Sequence, residues 1–319
     1  MVNKSAHNAL LDWFKTDGRH ELPWRKTNDI YHIYISEIML QQTQVNRVRD
    51  EYYPKFLARF PSIKTLAEAE LDEVFALWSG LGYYSRARNL HKTAQLALNG
   101  LPCEKKELLK LPGIGKYTAS AICSFGYRQN IPVVDTNIAR VLKRYFGLLG
   151  VQDKTLWEYA ASFVNAADAR AHNLALMDLG SLVCLPKNPQ CEMCPLRLEC
   201  KGKGEPELYT QKKKKEYERL ELFYALYIKD GKIALRTSQE KLYKGMLVLP
   251  NTEPIEENFI AAFKHSYTKY RLTVNLYHVD EITDEFVWVE LKELENAPIS
   301  SLTKKAAVFI EKKGEIYGF

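Results

Sequence analysis

Apolar positions recur at helical spacing through the first two thirds of the chain, in Ala9–Phe14, Val45–Phe56, Leu71–Leu77 and Ile138–Phe146. Pro61, Gly80, Gly100 and Gly147 punctuate the ends of such stretches. Alternating, strand-like runs are few before residue 200. The stretch 203–219, rich in Lys and Glu and poor in core formers, reads as a linker, and Lys212–Lys215 within it reads first as a solvated run. After Leu220 the period changes. Leu222–Ile228 and Lys232–Arg236 flank Asp230-Gly231, a hairpin signal. Further strands are expected at Leu272–Val279 and Glu285–Glu290, and helices at Ile255–Phe263 and Leu302–Lys312. The pattern predicts a mainly α domain over 1–202, a linker over 203–219 and a smaller α+β domain over 220–319. No internal repeat is present.

With 319 residues the chain is long enough for two cores. Its net charge of +6 suits a partner that carries phosphates without proving one. No apolar run approaches the roughly 20 residues that span a bilayer, and the first residues lack the order of a secretory signal. A cytoplasmic protein that does not engage membranes is the expectation. Six cysteines in a chain of this length do not make a disulfide scaffold.

Four of them, Cys184, Cys191, Cys194 and Cys200, follow the spacing C-x6-C-x2-C-x5-C. Thiolates at such spacing suit a metal centre, and both zinc and an iron–sulfur cluster are open on chemistry alone. Cys103 and Cys123 read as buried free thiols. Lys187 and Arg197 lie in the cysteine loops, where each is first a surface charge.

Leu111-Pro-Gly-Ile-Gly-Lys-Tyr117 places Gly113 and Gly115 between two helices. Such a turn exposes backbone N–H groups beside a helix N-terminus, an anion site to which Lys116 adds charge. An ordinary helix–helix turn is the competing reading. Ser36–Val45 reads as one helix in which Glu37, Gln41 and Gln44 share a face. Asp135 opens a helix, where Asp is a favoured N-cap. It also lies close in sequence to the glycine hairpin, where a nucleotide's sugar would be held. Cleavage of an N-glycosidic bond needs an acid for the leaving base and a carboxylate for the oxocarbenium-like sugar. Glu37 and Asp135 are the candidates for those roles.

Residues 5–200 resemble the helix-hairpin-helix DNA glycosylases that carry a [4Fe–4S] cluster. The cysteine spacing, the hairpin at 111–122 and Asp135 carry that resemblance. Glu21–Arg25, Ser36–Val45 and Gly80–Leu90 narrow it to the MutY-type adenine DNA glycosylases. The resemblance implies a [4Fe–4S] cluster on Cys184, Cys191, Cys194 and Cys200. It implies Glu37 as the acid that protonates adenine, Asp135 as the carboxylate at the sugar, and Asn137 and Tyr117 as assistants there. Trp24, Arg25 and Asp178 would line the base pocket. Gln42 and Tyr83 would probe the duplex, and Gly113, Gly115 and Lys116 would hold its backbone.

The implied activity is hydrolysis of adenine mispaired with 8-oxoguanine or guanine in double-stranded DNA, by a monomer, within base excision repair. Tyr117 occupies the position where related glycosylase–lyases carry a Schiff-base lysine, so a monofunctional enzyme is expected. Residues 220–319 resemble, more faintly, the family's Nudix-like domain, without a glutamate-rich hydrolysis box. The family's recognition loop is replaced by His265–Leu272, in which Tyr267, Thr268 and Lys269 stand for the lesion-reading residues. A glycosylase for another mismatch, such as thymine opposite guanine, and a DNA-binding protein without catalysis are the alternatives.

Overall fold

The computed structural model describes residues 4–210, 216–240, 243, 245–267, 269–280, 286–294, 297 and 299–317. The chain divides into two compact units. One comprises residues 1–77 and 83–212, the other 78–82 and 213–319. No helix of the described residues is long and apolar enough to cross a membrane.

Among the described residues the first unit is helical throughout. Its main helices are α1 (Lys4–Asp17), α2 (Ile30–Met39), α3 (Tyr84–Leu96), α4 (Lys116–Ala121), α5 (Thr136–Phe146), α6 (Asp153–Phe163) and α7 (Ala169–Leu182). The expected helical stretch over 45–56 forms as two α-helical pieces joined by a π-helical turn at Val48–Tyr52. Leu10 and Phe14 of α1, Ile138 and Leu142 of α5, Phe163 of α6 and Leu176 and Leu179 of α7 share one core. Helix α5 ends at Gly147, whose φ of 70° supplies the left-handed C-cap that a side chain disfavours. Chain 201–210 folds back on α5, where the Arg144 guanidinium donates to Pro206 O at 2.8 Å.

The second unit is α+β, as its change of period predicts. One sheet has the order β1 (Glu218–Leu226), β6 (Tyr270–His278), β5 (Phe259–Tyr267), with β1 parallel and β5 antiparallel to β6. The other joins β2 (Ile228–Lys229), β3 (Lys232–Thr237) and β4 (Leu247–Val248), and β7 (Val287–Glu290) pairs with β3. Helix α8 (Ser301–Tyr317) closes the chain. The β2–β3 turn uses positive φ at both Asp230 and Gly231, which matches the right-handed twist of the strands.

One element departs from the sequence pattern. Residues 255–263 were expected to be helical. They form a short 3-10 turn at Glu256–Asn258 followed by strand β5. The alanines Ala261 and Ala262 blur the alternation, and the ladder of nine-residue β5 with β6 overrides their helical preference.

Candidate active site

Helix α2 is apolar enough to be buried almost all round, from Tyr31 to Met39. Asp29 caps its start by accepting from Tyr31 N at 2.8 Å and His32 N at 3.1 Å. Its end is set by Arg86 of α3. That guanidinium donates to Ile38 O at 2.9 Å and Met39 O at 3.1 Å, and also to Gln41 O. The expected continuation of the helix to Val45 therefore does not occur. The chain turns after Met39, and Gln42 takes φ 59°. Gln41 reaches Thr118 Oγ1 at 3.4 Å, and Gln44 is exposed as the residue before the next helix. Of that expected trio, only Glu37 faces the interior pocket.

The pocket has a volume of about 270 Å³. Trp24, Arg25, Glu37, Tyr117, Asp135 and Asn137 all line it, with Leu22, Ile33, Phe125 and Leu174 as apolar wall. Glu37 is 6% exposed and accepts a hydrogen bond from the Tyr117 hydroxyl at 2.7 Å. Burial pushes its carboxyl up to about 7, with the nearby Asp135 charge adding to the rise and the Tyr117 hydrogen bond opposing it. At neutral pH a large share of the molecules therefore keeps a proton that an exposed glutamate would have lost.

Asp135 is both N-cap and pocket residue. Its carboxylate accepts from Ile138 N at 2.7 Å and Asn137 Nδ2 at 3.2 Å. Burial raises its pKa, and these N–H groups and Arg140 restrain the rise. Asn137 is held in turn by Arg140, which donates to Asn137 Oδ1 at 2.9 Å and to Cys184 O at 2.7 Å.

Asp178 does not line the pocket, contrary to expectation. It lies fully buried beneath two arginines. Arg19 donates its backbone N at 2.9 Å and Nε at 2.7 Å, and Arg25 donates Nη2 at 2.7 Å and also Nη1. Burial would raise its pKa, but the Arg25 and Arg19 contacts outweigh that and hold the carboxyl below its ordinary value. The consequence is a fixed Arg25 on the pocket wall. Arg19, which also lines the pocket, was not singled out by sequence. Only its spacing from the Trp24-Arg25 pair could have hinted at it.

Beside the pocket, α4 begins at Gly115, the last glycine of the hairpin. Gly113 has φ +74°, and a Cβ there would meet the Asn89 side chain at 2.8 Å. A Cβ on Gly115 would enter open space. The Lys116 ammonium lies 3.3 Å from Asp153 and 4.2 Å from the Trp157 ring centroid, and it does not line the pocket. Tyr83 is exposed with φ 51°, so the two residues expected to probe a duplex, Gln42 and Tyr83, are both left-handed non-glycine positions. Such backbone is costly and needs its surroundings to enforce it.

Cys184, Cys191, Cys194 and Cys200 line one apolar gap. Among the described residues, no three His, Cys, Asp or Glu donors close around a single metal ion. Four thiols ringing one gap suit a multi-iron cluster, whose ligands each bind a different corner. Arg144 donates to Cys184 Sγ at 3.2 Å and to Leu185 O at 2.7 Å, a charge-assisted contact of the kind that stabilises a thiolate ligand. Burial raises Cys191 and Cys200, and pushes Cys194 up to about 12, so these sulfurs stay protonated unless a cation offsets the desolvation. The residues fit a cluster. Arg197 pairs with Glu192 at the surface. Cys123 is buried as expected, but Cys103 is exposed, because its loop lies at the surface.

In the second unit Tyr267 ends β5, Thr268 lies outside the described residues, and Lys269 pairs with Glu218.

The HhH-GPD family model, described as superfamily base excision DNA repair protein, matches residues 35–175. That span holds Glu37, the hairpin and Asp135. The chain is 32% identical over 319 residues to the adenine DNA glycosylase of Buchnera aphidicola subsp. Acyrthosiphon pisum, covering 89% of this chain and 91% of that protein. It is 45% identical over 209 residues to that of B. aphidicola subsp. Baizongia pistaciae, and there the match spans 59% of the relative's length. The human adenine DNA glycosylase is 39% identical over 213 residues, 61% of this chain and 39% of the human protein. The chain belongs to the adenine DNA glycosylase family. Among solved structures, a thermostable thymine-DNA glycosylase matches with TM-score 0.58 and 32% identity, over 63% of this chain and 98% of its own. An endonuclease III bound to DNA shares the fold at TM-score 0.54 and 22% identity, over 64% of this chain and 98% of that one.

Proposed function

We propose that the chain is a monofunctional adenine DNA glycosylase of base excision repair, acting as a monomer on adenine mispaired with 8-oxoguanine or guanine in double-stranded DNA. The observation that carries the reading is a buried Glu37, its pKa raised to about 7, sharing one pocket with Asp135. The target base is flipped into the pocket, since its glycosidic bond is out of reach within the stack. Glu37 gives its proton to the leaving adenine. The apolar wall, by keeping water from the carboxyl, keeps that proton in place until then, and the Tyr117 hydroxyl orients the carboxyl. Asp135, fixed by the α5 amides and Asn137, offers its carboxylate to the oxocarbenium-like sugar. Water completes the hydrolysis. Position 117 offers a phenol in place of an amine, and Lys116 is engaged with Asp153 and Trp157, so no lysine adduct to the sugar forms.

Gly113, Gly115 and Lys116 grip the backbone, while Gln42 and Tyr83 enter the gap left by the flipped base. Cys184, Cys191, Cys194 and Cys200 hold a [4Fe–4S] cluster. When bound, the cluster supplies a rigid anchor for the loop between α7 and residue 202. The second unit is Nudix-like and reads the opposite base through Tyr267, Thr268 and Lys269.

Single-turnover excision on duplexes with adenine opposite 8-oxoguanine, guanine, cytosine and thymine tests the reading. Excision is expected opposite 8-oxoguanine and guanine. Release of thymine from a guanine mismatch with adenine left intact would overturn the target, a live comparison because the thymine-DNA glycosylase structure is 32% identical. Efficient borohydride capture on the adenine duplex would overturn the monofunctional chemistry. Iron and sulfide analysis of the purified protein checks the cluster, and zinc in their place would remove it.

A further inference from the structure

The open end of the β1–β6–β5 sheet carries a surface cavity of about 650 Å³ that the proposed chemistry does not use. Tyr217, Arg219, Lys264 and Arg271 line it, together with the hydroxyls of Ser266 and Thr273. Arg219 and Arg271 are direct partners in the β1–β6 register, so their side chains leave the same face of the sheet. Like charges placed opposite each other destabilise a sheet unless something neutralises them. Among the described residues, no carboxylate makes an ion pair with Arg219, Lys264 or Arg271. Other cations of this unit do have such partners: Lys232 of β3 pairs with Glu290, and Lys269, in the turn before β6, with Glu218. The nearest strand carboxylate on this face, Glu221, instead accepts from Asn275 at 3.0 Å. The Arg271 guanidinium lies 3.7 Å from the Tyr217 ring centroid, a cation–π contact.

We infer that this cavity is a second anion site and that its occupant is the phosphodiester backbone of a DNA strand, bound through Arg219, Arg271 and Lys264. The inference rests on the reading that DNA is the partner. Two neighbouring arginines with planar forks match two successive phosphates or one phosphate held from both sides. Backbone contacts of this kind position a duplex and carry no sequence information.

The test is fluorescence anisotropy of the full chain on a labelled adenine·8-oxoguanine duplex, titrated with NaCl. Wild type is compared with Arg219→Gln/Arg271→Gln and with Lys232→Gln as a control on the same unit. The double variant is expected to bind ~10-fold more weakly at low salt. Its plot of log affinity against log salt should be shallower by about two. The control should leave both unchanged. Single-turnover excision at saturating enzyme should match wild type, and melting without DNA should be unchanged or raised, because a like-charge pair is relieved. If the double variant fails to fold, Arg219→Gln alone and Arg271→Lys give the same reading, with the slope falling in the first and retained in the second. A folded variant with the wild-type slope would overturn the site. Inorganic phosphate that raises the melting temperature of wild type but not of the variant, with equal DNA slopes, would assign the cavity to free phosphate and also overturn it. Absence of excision on every duplex, with the slope difference intact, would sink the glycosylase reading and leave the site standing.

Discussion

At the residue scale the molecule turns on one proton. Glu37 holds it to about pH 7 because burial removes the water that would stabilise the carboxylate. Since the acid form does the work, excision should fall above about pH 7, tenfold per unit at the limit. A rate that stays flat to pH 9 in single-turnover assays would remove Glu37 as the acid. The same raised pKa means that the folded state keeps a proton the unfolded state gives up near its ordinary value of 4.5. Its contribution to stability is therefore full below that value and is lost as pH rises through about 7. Glu37→Gln keeps the shape but cannot donate the proton. It should lower the excision rate by about 10²–10⁴-fold, with DNA affinity kept. Asp135→Asn keeps a cap for α5 and removes the negative charge. Excision should collapse with affinity retained, whereas a protein that only binds DNA would show no change.

At the scale of elements, two helix ends make the site. Arg86 ends α2 by filling the carbonyls of Ile38, Met39 and Gln41. Arg86→Ala takes the side-chain donor from the buried Met39 carbonyl and from Gln41 O, while Ile38 O keeps the Gln41 N–H at 3.4 Å, and the buried Met39 carbonyl alone costs about 1–3 kcal/mol if left unmet. A fall in melting temperature is expected, together with weaker excision as the 40–44 turn loosens, and an unchanged melt would show that the cap is dispensable. The hairpin before α4 depends on Gly113. Alanine there meets both a positive φ and the Asn89 side chain at 2.8 Å. Gly113→Ala should weaken DNA binding, whereas Gly115→Ala, with open space around its Cβ, should preserve the melting temperature. Equal losses of stability in the two variants would contradict the geometry.

At the scale of the whole molecule, acid stability has an identifiable source in the first unit. His172 is 1% exposed, and among the described residues neither ring nitrogen has a hydrogen-bond partner. Burial, then the charge of His7, lowers its pKa to about 3. The unfolded chain takes up a proton near 6.5, while the folded one resists until about 3. The stability this contributes is full above pH 6.5 and is lost as pH falls toward 3. His172→Phe keeps a ring among Phe163 and His7 and removes the titration. Its unfolding free energy, followed from pH 7 to 4, should fall less steeply than that of wild type, and parallel curves would sink the assignment.

The sequence by itself determined the local features whose signal is short in range. The cysteine spacing, the Pro-Gly-Ile-Gly turn, the Asp-Gly hairpin and the change from helical to alternating period were all legible, because each depends on residues within a few positions of one another. Glu37 and Asp135 were legible as candidates, since their residue type and context carried the chemistry. Only the tertiary structure decided the rest. It stopped α2 at Met39, because the residue that caps it, Arg86, is 47 positions away from the carbonyl it fills there. It turned 259–263 into a strand, because ladder hydrogen bonds from β6 outweigh the helical preference of two alanines. It moved Asp178 behind the pocket wall, because two arginines remote in sequence satisfy its buried charge. The proton on Glu37 is the same kind of fact. Residue type made it possible, but the water excluded by Trp24, Tyr117 and the apolar wall sets its pKa, and that exclusion exists only once the chain has folded.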